Sequence, residues 1–157
     1  MIEDKLHEGQ LDMLALVERI QSSDLKKGVI RTGRRFGKTY FLVWYAVRTC
    51  MMLEGIRFPF IAPTIKALKS VVLPIFQEVL KGCPKALRPE FKRQDGVFVF
   101  PNGSEIPLAG TDSGHAEKIR GTKAHSLVLD EAGFMTDLKY VVNDICLPTL
   151  LYSEGLM

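Results

Sequence analysis

Two short clusters in this sequence carry residue types that handle phosphate. The first is Gly37-Lys38-Thr39, inside TGRRFGKTYF, Thr32 to Phe41. A glycine turn that runs into a helix presents unpaired backbone N–H groups and the positive helix end to an anion. In such a cradle Gly37 lets the backbone approach, Lys38 sets an ammonium beside the β- and γ-phosphates, and the Thr39 hydroxyl ligates magnesium. The second cluster is Asp130-Glu131, at the end of the apolar run Leu127 to Leu129. There Asp130 would hold Mg2+ through water, and Glu131 would orient or deprotonate an attacking water. Magnesium keeps several waters and takes few protein carboxylates, so one aspartate with Thr39 and the phosphates is chemically sufficient. The chemistry implied is magnesium-dependent hydrolysis of a nucleoside triphosphate.

The first cluster departs from G-x-x-x-x-G-K-[ST], because Thr32 stands where the first glycine belongs. Gly33, one position later, is expected to supply the turn instead. Each cluster taken alone also has a plainer reading, as a glycine turn flanked by basic residues and as a solvated acidic turn. Their order favours a shared site: roughly ninety residues separate them, room for two further strand–helix excursions.

The elements that would hold these clusters can be read from periodicity. Met13, Leu16, Val17 and Ile20 predict an amphipathic helix from about Gly9 to Ile20. Val29 to Arg31 reads as a short strand before the glycine turn, and Lys38 to Leu53 as a mostly buried helix in which Trp44 and Tyr45 are core. Phe58 to Ala62 reads as a second strand ended by Pro63, followed by a helical pattern from Ile65 to Val79 that Pro74 should kink or restart. Pro101-Asn102-Gly103 lies between two β-like runs and signals a hairpin. A last helix is expected from about Thr136 to Cys146, stopped by Pro148. Strands alternating with helices predict an α/β sheet buried on both faces.

Composition limits the alternatives. With 157 residues and 46% hydrophobic content the chain supports one core. A balance of 21 basic and 18 acidic residues, net +3, permits a nucleic-acid partner without demanding one. Cys50, Cys83 and Cys146 are widely spaced, with no C-x-x-C pair to hold zinc, and read as reduced structural thiols. His7, His115 and His125 lack ligand spacing. Lys66, Lys69 and Lys81 fit a solvated helix face better than a DNA path. No apolar run approaches the roughly 20 residues of a membrane span and MIEDKLHEGQ lacks a signal-peptide core, so a cytosolic setting is expected.

The pieces RTGRRFGKTYF, IAPT and IRGTKAHSLVLDEAGF, in this order and spacing, resemble the N-terminal ATPase portion of the large terminase subunit of tailed double-stranded DNA bacteriophages. The resemblance covers nearly the whole chain. In that family the first P-loop glycine is commonly displaced or replaced, with an arginine just after the turn. It implies a RecA-like P-loop fold with a mainly parallel sheet, flanking helices and a β-hairpin. The implied activity is Mg-ATP hydrolysis coupled to translocation of double-stranded DNA into a preformed capsid. The implied partners are the portal protein and the small terminase subunit, in a homo-oligomeric ring on the portal within the host cytoplasm.

Carried over by position, the resemblance makes Gly33, Arg34, Arg35, Gly37, Lys38 and Thr39 the phosphate loop. Thr39 and Asp130 become the magnesium residues and Glu131 the catalytic carboxylate. Arg34 matches an arginine that reaches the γ-phosphate in cis, and Arg120 one proposed to act on a neighbouring subunit's ATP. Gln10 resembles a glutamine that reads adenine. The family's sheet also inserts a strand after Asp130-Glu131 and adds a C-terminal nuclease; both are expected to lie outside this chain, and turnover by the chain alone is expected to be weak. Two alternatives stay open at this point: a superfamily 2 type helicase or translocase domain, and a noncatalytic nucleotide- or DNA-binding module.

Overall fold

The computed structural model describes residues 6–23 and 27–151. Helix α1 (Glu8–Gln21) forms where periodicity predicts it. Gln10 is its third residue, and Gln10 Oε1 accepts the His7 backbone N–H at 3.1 Å, one half of a capping box. Helix α2 (Lys38–Met52) begins at Gly37. Phe41, Val43, Trp44, Ala46, Val47 and Cys50 are all fully buried, so burial on several sides rather than one apolar stripe holds α2 in place. Its last carbonyls are met from a distant turn: Asn102 Nδ2 donates to Cys50 O at 2.8 Å and Ser104 Oγ to Leu53 O at 2.7 Å. The end of α2 remote from the glycine turn is thereby anchored.

Five strands, β1 (Phe60–Ala62), β2 (Glu90–Lys92), β3 (Val97–Val99), β4 (Glu105–Gly110) and β5 (Val128–Leu129), form one sheet in the order β2-β3-β4-β1-β5. Strands β4, β1 and β5 run parallel, while β2 with β3 and β3 with β4 are antiparallel. The expected hairpin is β3–β4, with Phe98 opposite Ile106. Strand β2 is an addition to the sequence reading, since Glu90-Phe91-Lys92 places two exposed charges around one aromatic. Exposed charges suit an edge strand because they discourage further pairing.

Alternation along β1 sorts the core into two. Phe60 and Ala62 join α1, α2 and the helical run after Pro63 on one face; Ile61 joins Ala109, Leu127 and the last helical run on the other. The sheet is therefore the middle of three layers. Cys50, Cys83 and Cys146 are free thiols buried in these layers, and desolvation pushes those of Cys50 and Cys146 up to about 12. Among the described residues no helix is long and apolar enough to cross a membrane.

Two expectations are corrected. The last helix does not stop at Pro148: α5 (Leu138–Tyr140) passes through a π-helical segment, Val141–Cys146, into α6 (Leu147–Leu151). A wider turn ahead of the proline accommodates the missing N–H and the ring that would otherwise break the helix. The same device recurs at Pro74, where α3 (Ile65–Ala67) leads through π-helical Leu68–Val72 into α4 (Leu73–Lys81). The second correction concerns Val29 to Arg31, which is not a strand. A strand needs a partner backbone, and among the described residues none pairs with this segment or with the outer edge of β5. Val29 is 88% exposed and Ile30 alone packs against the core.

Candidate active site

Strand β5 carries Asp130 to the sheet's carboxyl edge. Its backbone is fixed by Val128 N to Pro59 O at 3.0 Å and Asp130 N to Ile61 O at 2.8 Å, and Asp130 is only 4% exposed. From the other direction α2 carries Thr39 in its first turn. Thr39 Oγ1 lies 3.2 and 3.0 Å from the two Asp130 carboxylate oxygens, to which its hydroxyl donates. The two clusters, remote in sequence, meet in space. Burial pushes the Asp130 carboxyl above its ordinary value, and the neighbouring Glu131 charge adds to this; the Thr39 bond and the Lys38 charge pull the other way.

Lys38 curls back over the glycine turn, with Nζ donating to Thr32 O at 3.4 Å and Gly33 O at 3.2 Å. The turn is not built as the sequence predicts. Gly33 does not adopt a positive φ; the left-handed residues are Arg35 at φ 61° and Gly37 at φ 82°. An arginine in that region is strained by about 1–2 kcal/mol relative to glycine, and such strain concentrates at functional sites. Glu131 is also left-handed, at φ 51°, and exposed, which turns the chain sharply away from Asp130 at the strand tip.

Between these walls lies a cleft of about 670 Å³. Arg34, Arg35, Lys38, Thr39, Asp130 and Glu131 line it, and Gly33 and Gly37 belong to the same loop wall. Sequence reasoning missed the apolar contributors Ala62, Pro63, Ala67, Val71, Val72 and Phe134. Phe134 is 76% exposed, and Gly133-Phe134, one alanine past the acidic pair, was the signal that could have drawn attention to it. Val71 and Val72 reach the cleft from the π-helical segment before Pro74, whose widened turn no local pattern announces.

Two expected residues lie elsewhere. Arg120 is exposed outside the cleft, 3.6 Å from Glu117 Oε2 and 3.5 Å from the Tyr140 hydroxyl, which itself donates to Glu117 Oε1 at 2.5 Å. Gln10 is buried beneath the loop, its amide bonded to backbone at both ends: Nε2 donates to Gly37 O at 3.1 Å, and Oε1 accepts from His7 N. His125 is half-buried and desolvation lowers its pKa; the His115 side chain lies outside the described residues. The described residues contain no cluster of three or more His, Cys, Asp or Glu side chains able to hold a metal by themselves.

The chain has counterparts in sequence and in fold. The family model described as "Terminase large subunit, T4likevirus-type, N-terminal" matches residues 29–140. Tripartite terminase subunit 3 of human herpesvirus 1 (strain 17) is 31% identical over 106 residues, 65% of this chain and 14% of that protein. The chain thus spans a small part of the relatives it matches. In structure it resembles the Thermus Phage P74-26 large terminase ATPase domain, with a TM-score of 0.71 at 22% identity over 97% of this chain and 62% of that one. It also resembles the large terminase of a thermophilic bacteriophage in complex with ADP, with a TM-score of 0.71 at 20% identity over 90% of this chain and 35% of that one. Those two likenesses establish the fold, and the family model, which covers most of the chain, establishes the kinship. The chain belongs to the terminase large-subunit family, in the region its N-terminal model describes.

Proposed function

We propose that this chain is the ATP-hydrolysing part of a viral DNA-packaging motor. The observation that carries the reading is the contact of Thr39 Oγ1 with both carboxylate oxygens of Asp130, next to Lys38. A hydroxyl and a carboxylate side by side are hard oxygen donors of the kind magnesium takes alongside phosphate oxygens. Thr39 and Asp130 would hold Mg2+. When bound, the ion supplies charge neutralisation on the phosphate oxygens. Lys38 and the free N–H groups at the start of α2 bind and orient the β- and γ-phosphates of ATP.

Glu131, exposed at the strand tip beside the cleft, orients the attacking water and accepts its proton. Arg34, and with it Arg35, supplies positive charge toward the γ-phosphate from the loop wall. Arg120 acts in trans on a neighbouring copy's ATP, a reading supported by its exposure and its distance from its own cleft. The fuller assignment, also proposed, is a homo-oligomeric ring on the portal that works with the small terminase subunit to drive double-stranded DNA in the host cytoplasm.

Calorimetric titration with ATP, with and without Mg2+, tests the core of this reading, and binding should be lost in Lys38→Ala. Absence of binding in the unaltered chain would overturn it. For the trans role, Arg120→Ala should leave nucleotide binding unchanged and reduce turnover only at protein concentrations where copies associate.

A further inference from the structure

We infer that the first turn of α1 is a clamp on the phosphate loop, with His7, Gly9 and Gln10 acting as positioning residues for the peptide that precedes Lys38. Two side chains one turn apart take two consecutive carbonyls of that loop: His7 Nε2 lies 3.0 Å from Phe36 O and Gln10 Nε2 lies 3.1 Å from Gly37 O. A carbonyl only accepts, so the His7 ring carries its proton on Nε2. The Phe36 ring closes the same contact. It stands edge-on to His7 with centroids 5.4 Å apart, and a Cβ on Gly9 would lie 2.3 Å from the tip of that ring. A Cβ on Gly37 would meet Gln10 Nε2 at 2.7 Å. Glycines on both partners therefore permit this approach.

The clamp matters because Gly37 is the left-handed N-cap of α2 and its carbonyl also accepts Phe41 N. Fixing the Phe36 and Gly37 carbonyls on the α1 side directs the N–H groups of the following residues toward the cleft, since the two ends of a peptide unit point oppositely. Lys38 Nζ ties the loop further upstream, to the Thr32 and Gly33 carbonyls. Gln10 thus acts on the phosphates through the backbone rather than on a base.

This rests on the proposed phosphate-binding role of the loop, and the probes separate the two. Titrating the whole chain with inorganic pyrophosphate and with ATP, each with Mg2+, should show His7→Ala and Gln10→Ala weakening both ligands in parallel, by roughly tenfold for a lost bond of this kind. His7→Gln, which keeps an N–H donor, should recover most of the loss. Gly9→Ala should weaken both ligands as well, although alanine favours the helix over glycine by itself; a purely structural role for α1 predicts the reverse. Thermal melts of each variant separate a displaced loop from an unfolded one. A Gln10→Ala that loses ATP while holding pyrophosphate at the original affinity would overturn the clamp in favour of base reading. Unchanged binding of both ligands in all three alanine variants would also overturn it. An unaltered chain that binds neither ligand would remove the phosphate site and the clamp together.

Discussion

Asp130 and Lys38 face one cleft from unlike surroundings. The Asp130 wall is sheet: β5 is bonded into β1, and the carboxylate is almost fully covered. The Lys38 wall is loop: Arg34 and Arg35 are exposed, two left-handed residues shape it, and side chains at the start of α1 bond two of its carbonyls. The difference teaches where a substitution will register. On the sheet wall a change in charge alters both fold stability and chemistry, because the group is desolvated whatever it binds. On the loop wall a change alters the ligand and leaves the core alone.

The largest test of this contrast removes one functional group from each wall. In a full-length version of the protein, Lys38→Ala and Glu131→Gln should each lower Mg-ATP turnover by about 10² to 10⁴-fold, the range set by loss of a positioned catalytic group. Calorimetry should tell them apart, with Lys38→Ala losing ATP and Glu131→Gln retaining it. Asp130→Asn comes next. It should reduce Mg-dependent ATP affinity by roughly tenfold or more, since a neutral amide is a poor magnesium ligand. At neutral pH it should also raise the melting temperature, because a buried charge is removed while an acceptor for Thr39 remains. A fall in melting temperature would break the contrast.

Smaller effects sharpen the loop wall. Gly37→Ala should weaken ATP binding and destabilise by about 1–2 kcal/mol, since φ is positive and Gln10 stands in the way. Gly33→Ala should be nearly neutral in both assays, because no atom outside its neighbours lies within 4 Å of the added Cβ. The smallest change expected is Arg35→Gly: relief of left-handed strain against added unfolded-state freedom leaves a stability shift under about 1 kcal/mol, read by denaturant titration.

Much of the molecule was legible because single segments decide it. The periodicity around Met13, the apolar density of α2 and the Pro101-Asn102-Gly103 turn each specify a local structure that the fold retains. That Thr39 and Asp130 would meet in space was legible too, since the expected shared magnesium site would need those two groups together. What escaped is set by partners or by wider geometry. Val29 to Arg31 has a strand's residues without a strand's neighbour. Pro148 ends a regular α-helix but not one that widens first. Gly33 looks like the flexible residue of the loop, yet Arg35 takes the left-handed step, because φ there is imposed by where the two ends of the loop must go. Gln10 has the residue type of a base reader, and only coordinates show both ends of its amide tied to backbone.

The covered thiols carry a practical corollary. With Cys50 and Cys146 holding their protons far above neutrality and all three sulfurs sealed in the layers, maleimide dyes should find almost no thiolate to attack. A single cysteine introduced at Phe134, on the open rim of the cleft, would then be the dominant labelling point. The native background is quiet enough to follow the cleft by fluorescence without first stripping the chain's own sulfur.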